Sequence, residues 1–250
     1  MPRKWLKTFQ MRTKQKEYKK RILEAQNNVK EILNSAYNPI LEYSGGKDSI
    51  VLTHLVMQED NKIPVFNHHP GYGKFSKQIY RTQKTHKEII KIAKIIGVKD
   101  LTVTNTPFCT PDPHDYLIQD YFYELFKVMK TKGCNLELLG IRGEESVTRK
   151  HRVKGPLIRK ENHRTVAFPV RYLSWMDIWA YIVENNLKYP SEYDIRAKIV
   201  GYDKVRFTST YNENALYQGG SCYMDGVLFP EERNEVAKPG DHWDKNIIRR

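Results

Sequence analysis

The six residues Ser44-Gly45-Gly46-Lys47-Asp48-Ser49 join a short apolar run to a helical pattern, and that junction restricts the chain to few folds. Pro39 to Tyr43 reads as a buried strand through Ile40, Leu41 and Tyr43, and Ile50, Val51, Leu52, Leu55 and Val56 recur at helical spacing beyond the loop. Two glycines let the backbone curl and let a ligand approach the main chain. The helix start then offers unpaired N–H groups and a partial positive charge to an anion. Ser44 and Ser49 add hydroxyl donors, Lys47 adds a mobile cation, and Asp48 either caps the helix or holds a magnesium ion. The reading is a phosphate cradle, with a plain tight turn as the alternative. The Gly-x-x-x-x-Gly-Lys-[Ser/Thr] spacing of the common phosphate loop is absent.

Strand and helix signals alternate through the chain. Ile63 to Asn67 reads as a second strand, closed by a turn at His68-His69-Pro70-Gly71. A long helix carries Ile79, Gln83, His86, Ile89, Ile90, Ala93 and Ile96 on its inner face and ends at Gly97. Leu101 to Val103 is a third strand, and Tyr116 to Met129 a helix whose Tyr and Phe stripe is read as core. Leu136 to Leu139 is a fourth strand, followed at once by Gly140, Arg142, Glu145, Ser146 and Arg149. Such alternation argues for an α/β fold, a mostly parallel twisted sheet with helices on both faces and a Rossmann-like ligand site at the strands' carboxyl ends. Both polar motifs begin at such ends.

The Ser-Gly-Gly-x-Asp-Ser string resembles the loop of the ATP pyrophosphatases, which split ATP between the α and β phosphates. The second motif, Gly-x-Arg-x-x-Glu-Ser-x-x-Arg over Gly140 to Arg149, resembles the phosphoadenosine phosphosulfate reductase family. That family includes the small subunit of sulfate adenylyltransferase and the ATP pyrophosphatases of DNA phosphorothioation. Leu173-Ser-Trp175-Met-Asp177-Ile-Trp179-Ala-Tyr181, then Pro190-Ser-Glu-Tyr193, looks like its tryptophan-bearing helix and the turn after it. The resemblance implies an adenine nucleotide alpha hydrolase type of fold and binding of ATP or a related adenine nucleotide by Ser44, Gly45, Gly46, Lys47, Asp48, Ser49, Gly140 and Ser146. Lys47, Asp48, Arg142, Glu145 and Arg149 would act in catalysis, Mg2+ would accompany the triphosphate at Asp48, and Glu144 is read as a solvated neighbour. Alanine at Arg142 or Arg149 is expected to lower turnover with little change in melting temperature.

Two departures choose among the family's chemistries. The reductases use a cysteine in a Glu-Cys-Gly-Ile-His string, which Asp241 to Arg250 lacks, and His68-His69-Pro70-Gly71 stands where Asp-Thr-Gly is common. The first reading is therefore an ATP pyrophosphatase that adenylylates an acceptor for sulfur insertion, resembling the phosphorothioation or tRNA-thiolation enzymes. A sulfonucleotide reductase or sulfate-adenylylating enzyme is the alternative, and a non-catalytic nucleotide-binding module the third. Cys222 carries persulfide sulfur in the first reading or is a buried structural cysteine, and a cysteine desulfurase is the implied sulfur donor.

Charge points to the acceptor. The net charge is +13, and residues 1–39 hold ten Lys and Arg against Glu17, Glu24 and Glu31, or +7 of that excess. Tyr18, Ile22, Ala25, Val29, Ile32 and Leu33 in the same segment make one face of an amphipathic helix that docks on the domain. A second basic stretch, residues 151–164, reads as a hairpin or flap around Gly155-Pro156 beside the nucleotide, its charge serving either substrate phosphates or a polynucleotide. Solvated surface lysines and a footprint for DNA or tRNA are the two readings of this charge. The expected organisation is a basic N-terminal helix over 1–38, a nucleotide-binding domain over 39–194 and a packed extension over 195–250. Three dispersed cysteines, Cys109, Cys134 and Cys222, offer neither a disulfide framework nor four ligands for an iron–sulfur cluster, so no cluster is expected. No run reaches the roughly 20 apolar residues of a membrane span, so no membrane partner and a cytoplasmic location are expected.

Overall fold

The computed structural model describes residues 1–69, 83–105 and 113–205. Helices α1 (Arg3–Thr13) and α2 (Lys16–Leu33) precede β1 (Pro39–Glu42), α3 (Lys47–Glu59), β2 (Val65–His69), α4 (Gln83–Ile96), β3 (Leu101–Asn105) and α5 (Pro113–Lys132). After β4 (Leu136–Leu138) come a 3-10 turn (Gly143–Glu145), α6 (Val147–Arg152), β5 (Ile158–Glu161), β6 (Arg164–Ala167), α7 (Trp175–Glu184) and α8 (Glu192–Val200). The strands form a six-stranded sheet in the order β3-β2-β1-β4-β6-β5. Every pairing is parallel except β5 with β6. The order reverses direction at β1 and β4, which puts the two polar motifs at the switch point where such sheets bind ligands.

Alternation along β1 divides the core. Leu41 and Tyr43 join Leu136, Leu138, α2, α3, α4 and α7 in one buried cluster, while Ile40 packs with Phe66 and with Leu125, Val128 and Met129 of α5 on the other face. Phe9, Tyr18, Ile22, Ala25, Val29 and Ile32 belong to the first cluster, so the amphipathic face read in residues 18–33 is buried against the sheet's helices. Instead of a single helix, two occupy the N-terminal segment, broken at Lys14-Gln15. Arg12 Nε and Arg21 Nη1 bond the Asp177 carboxylate at 2.7 and 3.0 Å, and Asp177 is 0% exposed.

Other expectations shift in detail. His68 and His69 do not form a turn but continue β2, paired with Thr104 and Asn105. The α5 stripe is only half core: Tyr121 and Phe122 pack inward, while Tyr123 and Phe126 are exposed. The hairpin in 151–164 turns at Asn162, whose φ is 53°, a left-handed conformation Asn tolerates, and Gly155-Pro156 lies ahead of it. Cys109, Cys222, the extension beyond Val205 and the first part of the long helix fall outside the described residues. Among the described residues no helix is long and apolar enough to cross a membrane.

Candidate functional site

The loop between β1 and α3 is shaped by its own side chains. Gly45 has φ +75°, and a Cβ there would stand 2.4 Å from Ile89, so glycine is required twice over. Gly46 N–H donates to Ser44 Oγ at 3.2 Å, and Ser49 Oγ donates to the Gly46 carbonyl at 2.9 Å. Ser44 Oγ donates to Ser49 Oγ at 3.0 Å. Gly46 is the N-cap of α3 and supplies no capping side chain; the Lys47 N–H donates instead to the phenol of Tyr193 at 2.9 Å.

The second motif meets this loop directly. A Cβ on Gly140 would lie 3.1 Å from Ser49 Cα and N, tighter than an ordinary contact, so a side chain there would push the backbone after β4 away from the start of α3 by a few tenths of an ångström. Arg142, 1% exposed, sends Nε to Asp48 Oδ1 at 2.5 Å and Nη1 to Glu144 Oε2 at 2.9 Å and to the Leu173 carbonyl at 3.2 Å. Lys47 Nζ lies 3.1 Å from Asp48 Oδ2. Glu145 accepts the Arg142 main-chain N–H at 3.1 Å and pairs with Arg149 Nη1 at 2.5 Å, and Ser146 caps α6 by accepting the Arg149 N–H. All the residues singled out in the two motifs thus converge on one place.

Two roles differ from the expectation, those of Glu144 and Lys47. Glu144 is not merely solvated, because its carboxylate holds both the Arg142 guanidinium and the Trp175 N–H. Glu145 serves Arg149 and the main chain. Lys47 is not mobile: it is 2% exposed. Burial pushes its ammonium below the usual lysine range, against the pull of Asp48. Burial opposes the charge of Asp48 as well, yet Arg142 and Lys47 outweigh it and hold that carboxyl well below its ordinary value. Tyr193 is the residue the sequence reading left without a part, since nothing local in Pro190-Ser-Glu-Tyr193 says that its phenol reaches residue 47.

Both Asp48 oxygens face cations, and among the described residues no group of three His, Cys, Asp or Glu side chains is placed to hold a metal. That donor set does not fit a resident magnesium ion. A magnesium ion at Asp48 would have to bring most of its oxygen ligands with it. Cys134 is half-buried, 3.7 Å from the Pro39 carbonyl.

A second charged cluster lies on the α5 side of the same strands. Arg164 pairs with Glu137 of β4, Tyr121 donates to Glu42 at the end of β1, and Arg164 stacks 4.5 Å over Phe122. Glu42 Oε1 is buried without a hydrogen-bond partner. Burial, then the neighbouring Glu137, push the Glu42 carboxyl up to about 8 from an ordinary 4.5. The folded chain therefore keeps at Glu42 a proton that the unfolded chain loses, and this carboxyl's contribution to stability declines as pH rises from 4.5 to about 8, then levels off. Glu42→Gln should remove that decline. Urea unfolding at about pH 5 and about pH 9 would show the variant gaining on the parent at the higher pH, and equal gaps at both would refute the raised carboxyl.

A glycine loop at the switch point of a mostly parallel sheet, joined to the second polar motif by a buried Lys–Asp–Arg chain, places the protein among the doubly wound α/β folds. Residues 38–203 match the family model for the phosphoadenosine phosphosulfate reductase domain, more than half of the chain, and the protein belongs to that family. Among solved structures it is similar to the Candida auris phosphoadenylyl-sulfate reductase in its phosphate complex, at 16% identity over 69% of this chain and 84% of that one, with TM-score 0.47. The U34-tRNA thiolase NcsA of Methanococcus maripaludis, with its [4Fe-4S] cluster, is 17% identical over 69% of this chain and 65% of that one, TM-score 0.48. The Candida glabrata FMN adenylyltransferase in complex with ATP is 15% identical over 71% of this chain and 58% of that one, TM-score 0.50. Such identities speak to the fold alone. No curated protein matches the chain.

Proposed function

We propose that the protein is an ATP pyrophosphatase that adenylylates an acceptor and releases pyrophosphate, the acceptor being nucleic acid activated for sulfur transfer. The observation that carries this reading is the run Lys47–Asp48–Arg142, which ties the glycine loop to the second motif within hydrogen-bond distance. The acceptor oxygen attacks the α phosphorus, the bond to the β-phosphate oxygen breaks, and pyrophosphate leaves with that electron pair. Transfer of this kind depends on positioning and charge neutralisation more than on covalent protein chemistry. Lys47 and the main-chain N–H groups of the loop would neutralise the leaving pyrophosphate. Arg142 and Arg149, each already paired with a carboxylate, would turn their forks to phosphate oxygens when the nucleotide enters.

Seven cations of the N-terminal helices support a polyanionic acceptor. Arg12 and Arg21 are consumed by Asp177, and Lys30 lies 3.5 Å from Glu59, which leaves Arg3, Lys4, Lys7, Lys14, Lys16, Lys19 and Lys20 exposed on α1, α2 and their junction. The 151–164 stretch supports it less than its composition suggested, because Arg152 and Arg159 pair with Glu161 and Arg164 with Glu137. The small-sulfonucleotide alternative keeps the same cradle and needs no basic surface.

Lys47→Ala is the direct test. Affinity for ATP should fall at least tenfold while adenosine binding stays unchanged, because the lost contact is to phosphate. Production of AMP and pyrophosphate, in place of ADP and phosphate, is expected from the parent chain supplied with DNA or tRNA. An unaltered ATP affinity in the variant would remove the loop from the site.

A further inference from the structure

Tyr193 stands 146 positions from Lys47 in sequence, yet its phenol accepts the first main-chain N–H of α3 at 2.9 Å. That N–H is one of those a helix start leaves open, and it points where an anion bound at the N-terminus would sit. The contact is closed off from solvent: Tyr193 and Lys47 are each 2% exposed. Tyr193 is held there by aromatic edges, 5.2 Å and 90° from Trp179 and 6.2 Å and 79° from Tyr189. Its helix, α8, is anchored independently by the Asp194 carboxylate, which takes the Tyr189 hydroxyl at 3.0 Å and the Tyr202 hydroxyl. The same cradle shows a second self-contact of the same kind, the Asp48 carboxylate lying between the Lys47 and Arg142 cations.

We infer that the Tyr193 phenol is a tethered stand-in for a phosphate oxygen at the start of α3, a positioning residue that keeps the loop shaped without nucleotide and yields its place when pyrophosphate binds. The inference rests on the ATP-pyrophosphatase reading of the loop. One N–H does not serve a phenol and a phosphate oxygen in line at once, so removing the phenol hydroxyl frees a donor that the ligand otherwise has to win. A phenol that served only to hold the fold would not compete with the ligand.

Tyr193→Phe separates these cases by titrating the full chain with inorganic pyrophosphate. Affinity for pyrophosphate should rise about three- to tenfold, the worth of one neutral hydrogen bond. Without ligand the variant should melt below the parent because its N–H has lost its partner, and at saturating pyrophosphate the gap should close. In turnover, KM for ATP and kcat should fall together, since product leaves more slowly. Unchanged or weakened pyrophosphate binding in the variant, or an equal melting deficit with and without the ligand, would overturn the stand-in role while leaving the pyrophosphatase reading intact. A parent chain that binds no pyrophosphate would overturn both.

Discussion

Arg142→Ala should destabilise the protein by about 3–5 kcal/mol, a fall in melting temperature on the order of ten degrees, as well as abolish turnover. From the sequence alone this arginine reads as a catalytic side chain whose loss leaves the fold untouched. Its position decides otherwise: the guanidinium is 1% exposed and joins Asp48, Glu144 and the Leu173 carbonyl, which come from three separate stretches of chain. Removing it strands the Asp48 carboxylate beside Lys47 alone and leaves a buried acceptor without its donor, the case in which a broken ion pair costs most. Arg149 is the contrast. Its side chain is 30% exposed and pairs with Glu145 four residues back, so Arg149→Ala should change stability by less than about 1 kcal/mol. Urea unfolding of both variants checks the difference, and a loss below about 1 kcal/mol for Arg142→Ala would show that the buried pair is not what holds the two motifs together. The contribution of the pair is full above pH 3.8, the ordinary value for Asp48, and fades as pH falls below it, because the folded-state carboxyl is depressed.

The site was legible wherever its chemistry is local. Ser44 to Ser49 and Gly140 to Arg149 each declare a loop at a strand end, and parallel pairing of β1 with β4 brings the two ends together. Gly140 favours the approach, since a Cβ there would crowd the Ser49 backbone at 3.1 Å. What could not be read is what tertiary contact decides. Tyr193 sits in a turn whose residues say nothing of Lys47, and Glu144 and Glu145 are adjacent carboxylates that only the 3-10 turn assigns to different arginines. The same limit applied to strand ends: β2 runs on through His68 and His69 because β3 is there to pair with them, against the turn signal of Pro70-Gly71. Charge was the least readable quantity. Arg152, Arg159 and Arg164 look like a basic stripe in sequence and are folded into pairs with Glu161 and Glu137, whereas the α2 periodicity correctly separated buried Tyr18 and Ile22 from the exposed lysines between them.

The proposed nucleic-acid acceptor would meet the exposed lysines of the helix pair and not the arginines that hold it in place. Lys14, Lys16, Lys19 and Lys20 are exposed at the α1–α2 junction, whereas Arg12 and Arg21 beside them neutralise Asp177 and anchor both helices on α7. Changing the four lysines together to Gln, and leaving the two arginines alone, should therefore keep the fold while removing four positive charges. Each lysine that touches a phosphate of duplex DNA releases about 0.9 counterion, so the slope of log affinity against log salt should flatten by about three to four if all four are in contact. Over a fourfold rise in salt that amounts to a difference on the order of a hundredfold in how much affinity the parent and the variant lose. ATP cleavage without nucleic acid should survive in the variant, because the Ser44 loop is held by Tyr193, Ser49 and Arg142 and by none of these lysines. Binding that responds to salt in both chains with the same slope would move the contact off the helix pair. Tight, salt-insensitive binding of adenosine phosphosulfate or its 3′-phosphate, with no measurable affinity for DNA or tRNA, would replace the nucleic-acid acceptor with a small sulfonucleotide in the same cradle.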